Sequence, residues 1–238
     1  MPAPVAHLKH IKLISFDLDD TLWDNEPVIE HAVSQSLKAL QTHLPKQADL
    51  AAYVLNAKAQ IVKRQPYMAW DLTALRQASY AQVLRNTGLN KNTAEAGASE
   101  ATAVFSRLRN NVSPFTDVKQ CLPRLAKHWP IAAISNGNCN LFSLAMGEYF
   151  SFYISPLQAQ CAKPDPKMYY YAADHIQLAP QQILHIGDCP HNDIDAAKQA
   201  GYQTVWCNRN EQVFTGNTKP DYEISSLTQL EKLLNHWI

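Results

Sequence analysis

The sequence predicts an α/β protein: a parallel sheet with helices on both faces, interrupted once by an all-helical insert. Three observations predict it. Short apolar runs rich in branched residues recur at residues 11–16, 131–134, 152–154, 182–186 and 204–207, the length and composition of strands buried on both faces. From about residue 112 onward these runs alternate with helical patterns, which is the rhythm of a Rossmann-like parallel sheet. Between residues 24 and 111 apolar residues repeat only at helical spacing, and no stretch alternates as a strand would. The expected organisation is a core of residues 1–23 and 112–238 with a helical unit of residues 24–111 set into it.

Taken in order, the first strand begins at Ile11 and ends in the acidic string Asp17-Leu18-Asp19-Asp20-Thr21. Four helices should follow, carried by Val28, Ile29, Ala32, Val33, Leu37 and Leu40; by Leu50, Val54, Ala57 and Ile61; by Leu72, Leu75, Ala78 and Val83; and by Ala98, Ala101, Phe105 and Leu108. Breakers at His43-Leu44-Pro45, Gln65-Pro66 and Asn86-Thr87-Gly88 separate them, while the alanine-rich residues 91–99 leave the fourth boundary open. Ser113-Pro114 should cap a helix reaching about Lys127, since proline suits a first helical position. A strand over residues 131–134 stops at Ser135-Asn136-Gly137, and a helix is expected over about residues 139–147. After a strand at 152–154, Asp165-Pro166 should cap a helix through about His175. The strand over residues 182–186 stops at Gly187-Asp188, a helix from Asp193 closes at Gly201, and residues 204–207 form the last core strand. A terminal helix covers about residues 227–234.

Lysine plus arginine and aspartate plus glutamate both number 21, so no basic field exists to draw nucleic acid or an anionic membrane. No apolar segment approaches membrane-spanning length, and Met1 to His7 lack a cationic start followed by an apolar run, so no signal peptide is expected. Five cysteines without metal-ligand spacing (Cys121, Cys139, Cys161, Cys189 and Cys207) read as reduced thiols of a cytoplasmic protein.

The chemistry gathers at strand ends. An unpaired carboxylate inside a buried strand is prohibitively expensive, so Asp17 and Asp19 must lie just beyond it, where open α/β sheets keep their ligand crevices. Two residues apart on an extended chain, they point the same way. Like charges so close call for a cation, and hard carboxylate oxygens suit Mg²⁺.

The string Asp17-Leu18-Asp19-Asp20-Thr21-Leu22 resembles the first motif of the haloacid dehalogenase superfamily of phosphotransferases, and three further motifs follow in order: Ser135 after a strand, Lys163 in Lys-Pro-Asp-Pro before a helix, and Asp188 with Asp193 after another strand. The resemblance spans essentially the whole chain. It implies a Mg²⁺-dependent phosphomonoester hydrolase in which Asp17 attacks phosphorus to form an aspartyl-phosphate, while Asp19 serves as general acid and then base. Ser135, Asn136 and Lys163 would hold the phosphate, with Lys163 also neutralising Asp17. The metal would lie on Asp17, the Asp19 backbone carbonyl and Asp188, with Asp193 outside direct contact, orienting a metal-bound water or Lys163. The dehalogenating branch lacks an aspartate at the second position, so Asp19 points to phosphate esters. Cys189-Pro190-His191 departs from the Ser, Asp or Asn more usual there.

By resemblance the helical insert is a cap between the first two motifs, and the 27 residues between Ser135 and Lys163 leave no room for a second kind of cap. Such caps suit small phosphometabolites. Trp23, Tyr67 and Trp70 are the candidate specificity residues, able to stack on a flat ring, with Arg64 and Arg76 as partners for a second anion. The strings around Phe16-Asp17 and Trp129-Pro130 resemble a bacterial branch acting on flavin mononucleotide and on the phosphorylated ribitylaminouracil of riboflavin biosynthesis. Nucleotide or sugar-phosphate hydrolysis, phosphomutase activity and a non-catalytic binding module are the alternatives. The expected partner is a small-molecule phosphate ester, with the chain a monomer or weak homodimer.

Overall fold

A computed structural model describes residues 10–44 and 49–234; the readings of Met1 to His7 and of Pro45 lie outside them. By packing, the chain separates into two units. One contains the described part of Met1–Asp24, then Ser113–Gly137 and the described part of Leu141–Ile238. The other contains the described part of Asn25–Val112 together with Asn138–Asn140, a short segment that the sequence reading leaves in the core.

The first unit is built on a six-stranded, wholly parallel sheet: β1 (Leu13–Phe16), β2 (Ile131–Ile134), β3 (Phe152–Ile154), β4 (Ile183–Gly187), β5 (Gln203–Cys207) and β6 (Tyr222–Ile224), in the order β3-β2-β1-β4-β5-β6. The sixth strand is absent from the sequence reading, because Tyr222-Glu223-Ile224 is too short and polar to stand out. Every residue of β1, β2 and β4 is buried, which explains their unbroken apolar character. Each fully buried Leu, Ile or Phe there contributes on the order of 1.5–3 kcal/mol. The chain reverses its winding between β1 and β4, so the crevice at the C-terminal ends of β1, β2 and β4 is the switch point of the sheet.

Two expected helices of this unit form differently. Helix α5 (Thr116–Leu125) begins after Pro114, because Pro114 bridges Trp23 and the Phe115 amide donates to the Leu22 carbonyl. The expected helix near residues 139–147 is replaced by two 3-10 turns, Leu141–Ser143 and Ala145–Tyr149. There Gly147 packs against the Leu141 carbonyl, leaving no space for a Cβ. Two short helices, α6 (Pro156–Ala159) and α8 (Ala196–Gln199), flank α7 (Lys167–Ile176), and α9 (Leu227–Leu234) comes last. A π turn, Pro190–Asp195, precedes α8 where the sequence pattern suggests one continuous helix.

The second unit contains α1 (Glu26–Gln41), α2 (Leu50–Arg64), α3 (Leu72–Asn86) and α4 (Lys91–Arg109), with a 3-10 turn at Pro66–Trp70. Leu40, Val54, Ala57, Tyr80, Leu84, Ala94, Ala98 and Ala101 share one buried cluster. The alanines explain the weak pattern of residues 91–99. They are strong helix formers whose small side chains allow close helix approach, and the Asn90 side chain caps the start by accepting from the Thr93 amide at 3.0 Å.

Candidate active site

At the end of β1 the Asp17 amide donates to the Ile186 carbonyl at 2.8 Å, extending the sheet by one residue and bringing the Asp17 carboxylate to the crevice. Leu18 is buried, so the turn is anchored from below. The turn then closes on itself: Asp20 adopts a positive φ of 60°, its amide donates to the Trp23 carbonyl, and the Trp23 indole N–H donates to Asp19 Oδ1 at 3.1 Å. Thr21 is fully buried and donates to Asp188 Oδ1 at 3.1 Å, joining the β1 loop to the β4 loop. Arg209, stacked on Phe115 and paired with Asp117, donates to the Thr21 carbonyl at 3.0 Å.

At the end of β2, Ser135 is buried and its Oγ accepts from the Gly137 amide at 3.2 Å. Asn136 does something the sequence reading missed. Its side chain donates to the Lys163 carbonyl and accepts from the Lys163 amide, both at 2.8 Å. That double clamp fixes the Lys163 backbone beside the end of β2. The Lys163 ammonium, almost wholly buried, donates to Asp17 Oδ1 and Asp193 Oδ1 at 2.6 Å and to the Ile134 carbonyl at 2.9 Å.

At the end of β4 the residue before Asp188 must be glycine, since a Cβ on Gly187 would overlap the Asp193 carboxyl. The Cys189 amide donates to Asp193 Oδ2 at 2.9 Å, and the Trp206 indole donates to the Asp188 carbonyl at 2.7 Å. Carboxylate oxygens of Asp17, Asp188 and Asp193 lie within 4.8 Å of one another.

The electrostatics follow from burial and from how one cation is shared. Burial pushes the Asp17 carboxyl well above the usual range; Lys163 opposes this, and the Asp193, Asp188 and Asp19 carboxylates reinforce it. Asp188 is pushed up to about 7, first by burial and then by Asp193. Burial also acts against ionised Asp193, but Lys163 and His185 override it and hold Asp193 below the usual range. Burial acts against the Lys163 charge, and Asp17 with Asp193 outweigh it, holding the ammonium above the ordinary lysine range. Asp17 and Asp188 are therefore two hard-oxygen donors still short of positive charge, a donor set that fits Mg²⁺. Both oxygens of Asp193 already have donors, which leaves that residue as the anchor of Lys163.

The expected specificity residues are placed unevenly. Trp23 is fully buried and spends its N–H on Asp19, so its ring supports the loop and is not available to stack on a ligand. Tyr67, 59% exposed, and half-buried Trp70 share the 3-10 turn of the helical unit. Arg76 Cζ lies over the Phe105 ring, 3.3 Å from its centre, and the guanidinium donates to the Tyr80 hydroxyl, while Arg64 donates to Gln82. The sequence reading also gave no role to His185, Tyr169 or Trp206. A histidine in the middle of the apolar run Ile183-Leu184-His185-Ile186 was the available signal for the first.

Residues 11–201 match the haloacid dehalogenase-like hydrolases. The chain belongs to that family. It is an enzyme of the hydrolase class. Over 232 residues it is 32% identical to the 5-amino-6-(5-phospho-D-ribitylamino)uracil phosphatase YigB of Escherichia coli K12, covering 95% of this chain and 98% of the relative. It is 25% identical over 240 residues to the human N-acylneuraminate-9-phosphatase, with 95% of each chain covered. A solved structure described as a 2-haloacid dehalogenase from Pseudomonas syringae pv. Tomato DC3000 matches with a TM-score of 0.88 at 30% identity, over 96% of this chain and 100% of that one. No disulfide joins any of the five cysteines, and no helix among the described residues is long and apolar enough to cross a membrane.

Proposed function

We propose that this hydrolase is a Mg²⁺-dependent phosphomonoesterase of the reducing cytoplasm, acting on small phosphometabolites through an aspartyl-phosphate on Asp17. The observation that carries it is the pairing of Asp17 with the Lys163 ammonium at 2.6 Å, beside Asp188 and two residues from a second carboxyl, Asp19. Asp17 attacks phosphorus in line and the ester P–O bond breaks, while Asp19 gives its proton to the departing alkoxide. Asp19, now a carboxylate, takes a proton from water, whose oxygen attacks phosphorus and frees Asp17 and inorganic phosphate. Lys163 stabilises negative charge on Asp17 and on the phosphoryl oxygens, and Ser135 donates to one of them. The Asp17 and Asp188 carboxylates and the Asp19 carbonyl would hold Mg²⁺, which when bound offsets the charge of the phosphoryl group.

The favoured substrate is the phosphorylated ribitylaminouracil of riboflavin biosynthesis, or flavin mononucleotide. The likeness to YigB over nearly the whole chain supports it. Tyr67 and Trp70 offer aromatic surface for a flat ring, and the helical unit would act as a cap over the crevice.

The likeness to a protein described as a dehalogenase raises a second reading, attack by Asp17 on the carbon of a short haloacid. Asp19 argues against it, because a halide leaves without a proton and the indole that aims Asp19 would then serve no chemistry.

Phosphate release from a panel holding flavin mononucleotide, the ribitylaminouracil phosphate, sugar phosphates and nucleotides, with 2-chloropropionate alongside, tests all of this. Chelator-sensitive release led by the two riboflavin-pathway esters is the expected result. Broad release removes the substrate assignment, and halide release without phosphate release overturns the phosphatase.

A further inference from the structure

Beneath the carboxylate cluster lies a buried polar chain for which the mechanism has no use. Ser15 on β1 and His185 on β4 stand opposite each other in the sheet register, and both are fully buried in otherwise apolar strands. Ser15 Oγ lies 2.9 Å from His185 Nδ1. On the other side of the ring, His185 Nε2 lies 3.3 Å from Asp193 Oδ1 and 3.2 Å from the Tyr169 hydroxyl, which itself donates to the Asn192 carbonyl at 2.8 Å. Tyr169 is also fully buried, with its ring edge-on to the imidazole. Polar groups placed this deep are costly unless all are satisfied.

Ser15 Oγ also lies 3.4 Å from the Leu184 carbonyl, so the arrangement is decided at the other end of the ring, where a donor has to face the Asp193 carboxylate. Ser15 donates to Nδ1, the Nε2 hydrogen is shared between Asp193 and the Tyr169 oxygen, and Tyr169 donates to Asn192. The opposite neutral tautomer would turn the Nε2 lone pair toward the Asp193 carboxylate. A cationic ring would place two cations on one buried oxygen, since the Lys163 ammonium is already on Asp193 Oδ1 at 2.6 Å.

We infer that His185, as the neutral Nε2–H tautomer that faces Asp193, is a positioning residue that fixes the rotation of the Asp193 carboxylate and thereby the aim of Lys163 at Asp17. Asp193 is pinned at Oδ2 by the Cys189 amide and at Oδ1 by His185 and Lys163. With His185 removed, Oδ1 keeps the Lys163 ammonium but loses the ring N–H, and the carboxylate, held then by the Cys189 amide and the ammonium, turns more readily with the ammonium. Because Lys163 divides its three N–H bonds among Asp17, Asp193 and Ile134, a turn of Asp193 shifts the charge that Asp17 meets during attack.

The inference rests on the phosphatase reading of Asp17 and Lys163, which wild-type turnover of para-nitrophenyl phosphate tests by itself. His185→Leu and His185→Gln are compared, since glutamine keeps an N–H near the Nε2 position and leucine does not. We expect kcat to fall about 10- to 100-fold in H185L and only a few-fold in H185Q, with KM nearly constant in both. A merely structural role would lower both variants alike. Equal losses, or no loss in either, overturn the inference. Side-chain ¹⁵N NMR of the wild-type protein, with the His185 signals assigned by their disappearance in H185Q, should show a neutral ring protonated at Nε2. A ring protonated at Nδ1, or at both nitrogens near neutral pH, overturns it even if H185L fails to fold.

Discussion

Three N–H bonds on Lys163 meet three acceptors, Asp17, Asp193 and the Ile134 carbonyl, so the ammonium is saturated and its position is set by its neighbours. The two carboxyls that follow β1, Asp17 and Asp19, play different parts. Asp17→Asn removes the nucleophile and should lower kcat at least about 1,000-fold while leaving the melting temperature unchanged or raised, because a buried carboxylate repelled by its neighbours has gone. Asp19→Asn keeps the Trp23 hydrogen bond but loses the transferable proton, for an expected loss of about 10²–10⁴-fold. Steady-state kinetics with thermal melts would separate the two, and an Asp19 variant with full turnover would remove the general-acid role. Asn136→Ala leaves the Lys163 backbone amide and carbonyl without their clamp, at a cost of about 1–3 kcal/mol. Both stability and kcat should fall, whereas a lost phosphate contact alone would raise KM without lowering the melting temperature.

The β4 loop shows how an element is built around one side chain. Asp193 occupies the space a Cβ on Gly187 would need, so Gly187→Ala should push the carboxyl aside at a cost of about 1–3 kcal/mol and lower kcat more than the loss of folded protein explains. A variant with wild-type kcat would mean that Asp193 can move without consequence. The strands of this crevice were legible because buried parallel strands need unbroken apolar runs, and the ends of those runs marked Asp17, Ser135 and Asp188. What was not legible depended on contacts distant in sequence. Pro114 reads as a helix start until Trp23 pairs with it as extended chain, and Tyr222-Glu223-Ile224 becomes a strand only because β5 offers an edge. The clamp of the Asn136 side chain on Lys163, 27 positions away, had no local signal either. Trp23 looked like a ring for stacking because it is aromatic and beside the motif, while its N–H is needed by Asp19 four residues earlier. Ser15 and His185 were each visible as a polar residue in an apolar strand, yet only the register shows that they face each other.

For the whole molecule, the crowded carboxylates couple folding to both protons and metal. Asp188 titrates near pH 7 in the folded protein, and Asp17 is displaced in the same direction, whereas an unfolded aspartate ionises near pH 3.9. Between about pH 4 and pH 7 folded Asp188 keeps a proton that the unfolded state has lost, so it makes stability fall as pH rises through that window, and Asp17 acts in the same direction. His185 acts in the opposite sense: buried and held neutral, it lets the unfolded chain take up a proton first, so stability falls as pH drops below about 6.5. Asp193 and Lys163 stay ionised throughout this range, Asp193 being held below it and Lys163 above. The net pH profile of the metal-free protein therefore mixes opposing contributions, but the increment produced by Mg²⁺ does not. A cation on Asp17 and Asp188 must displace the Asp188 proton at about pH 5 and finds that group largely ionised at about pH 8, so its stabilisation should grow across that interval and then level off. At a hundredfold excess over Kd the gain is about 2.7 kcal/mol, on the order of 5–10 °C in Tm for a chain of this size. Melts with and without Mg²⁺ at both pH values would measure it, with Na⁺ at matched ionic strength as the control. A shift of equal size at the two pH values, or a larger one in acid, would mean that the cation binds away from Asp17 and Asp188. If Asp188→Asn abolishes the pH dependence of the shift while the protein still melts cooperatively, the protons displaced by the metal are those of this cluster.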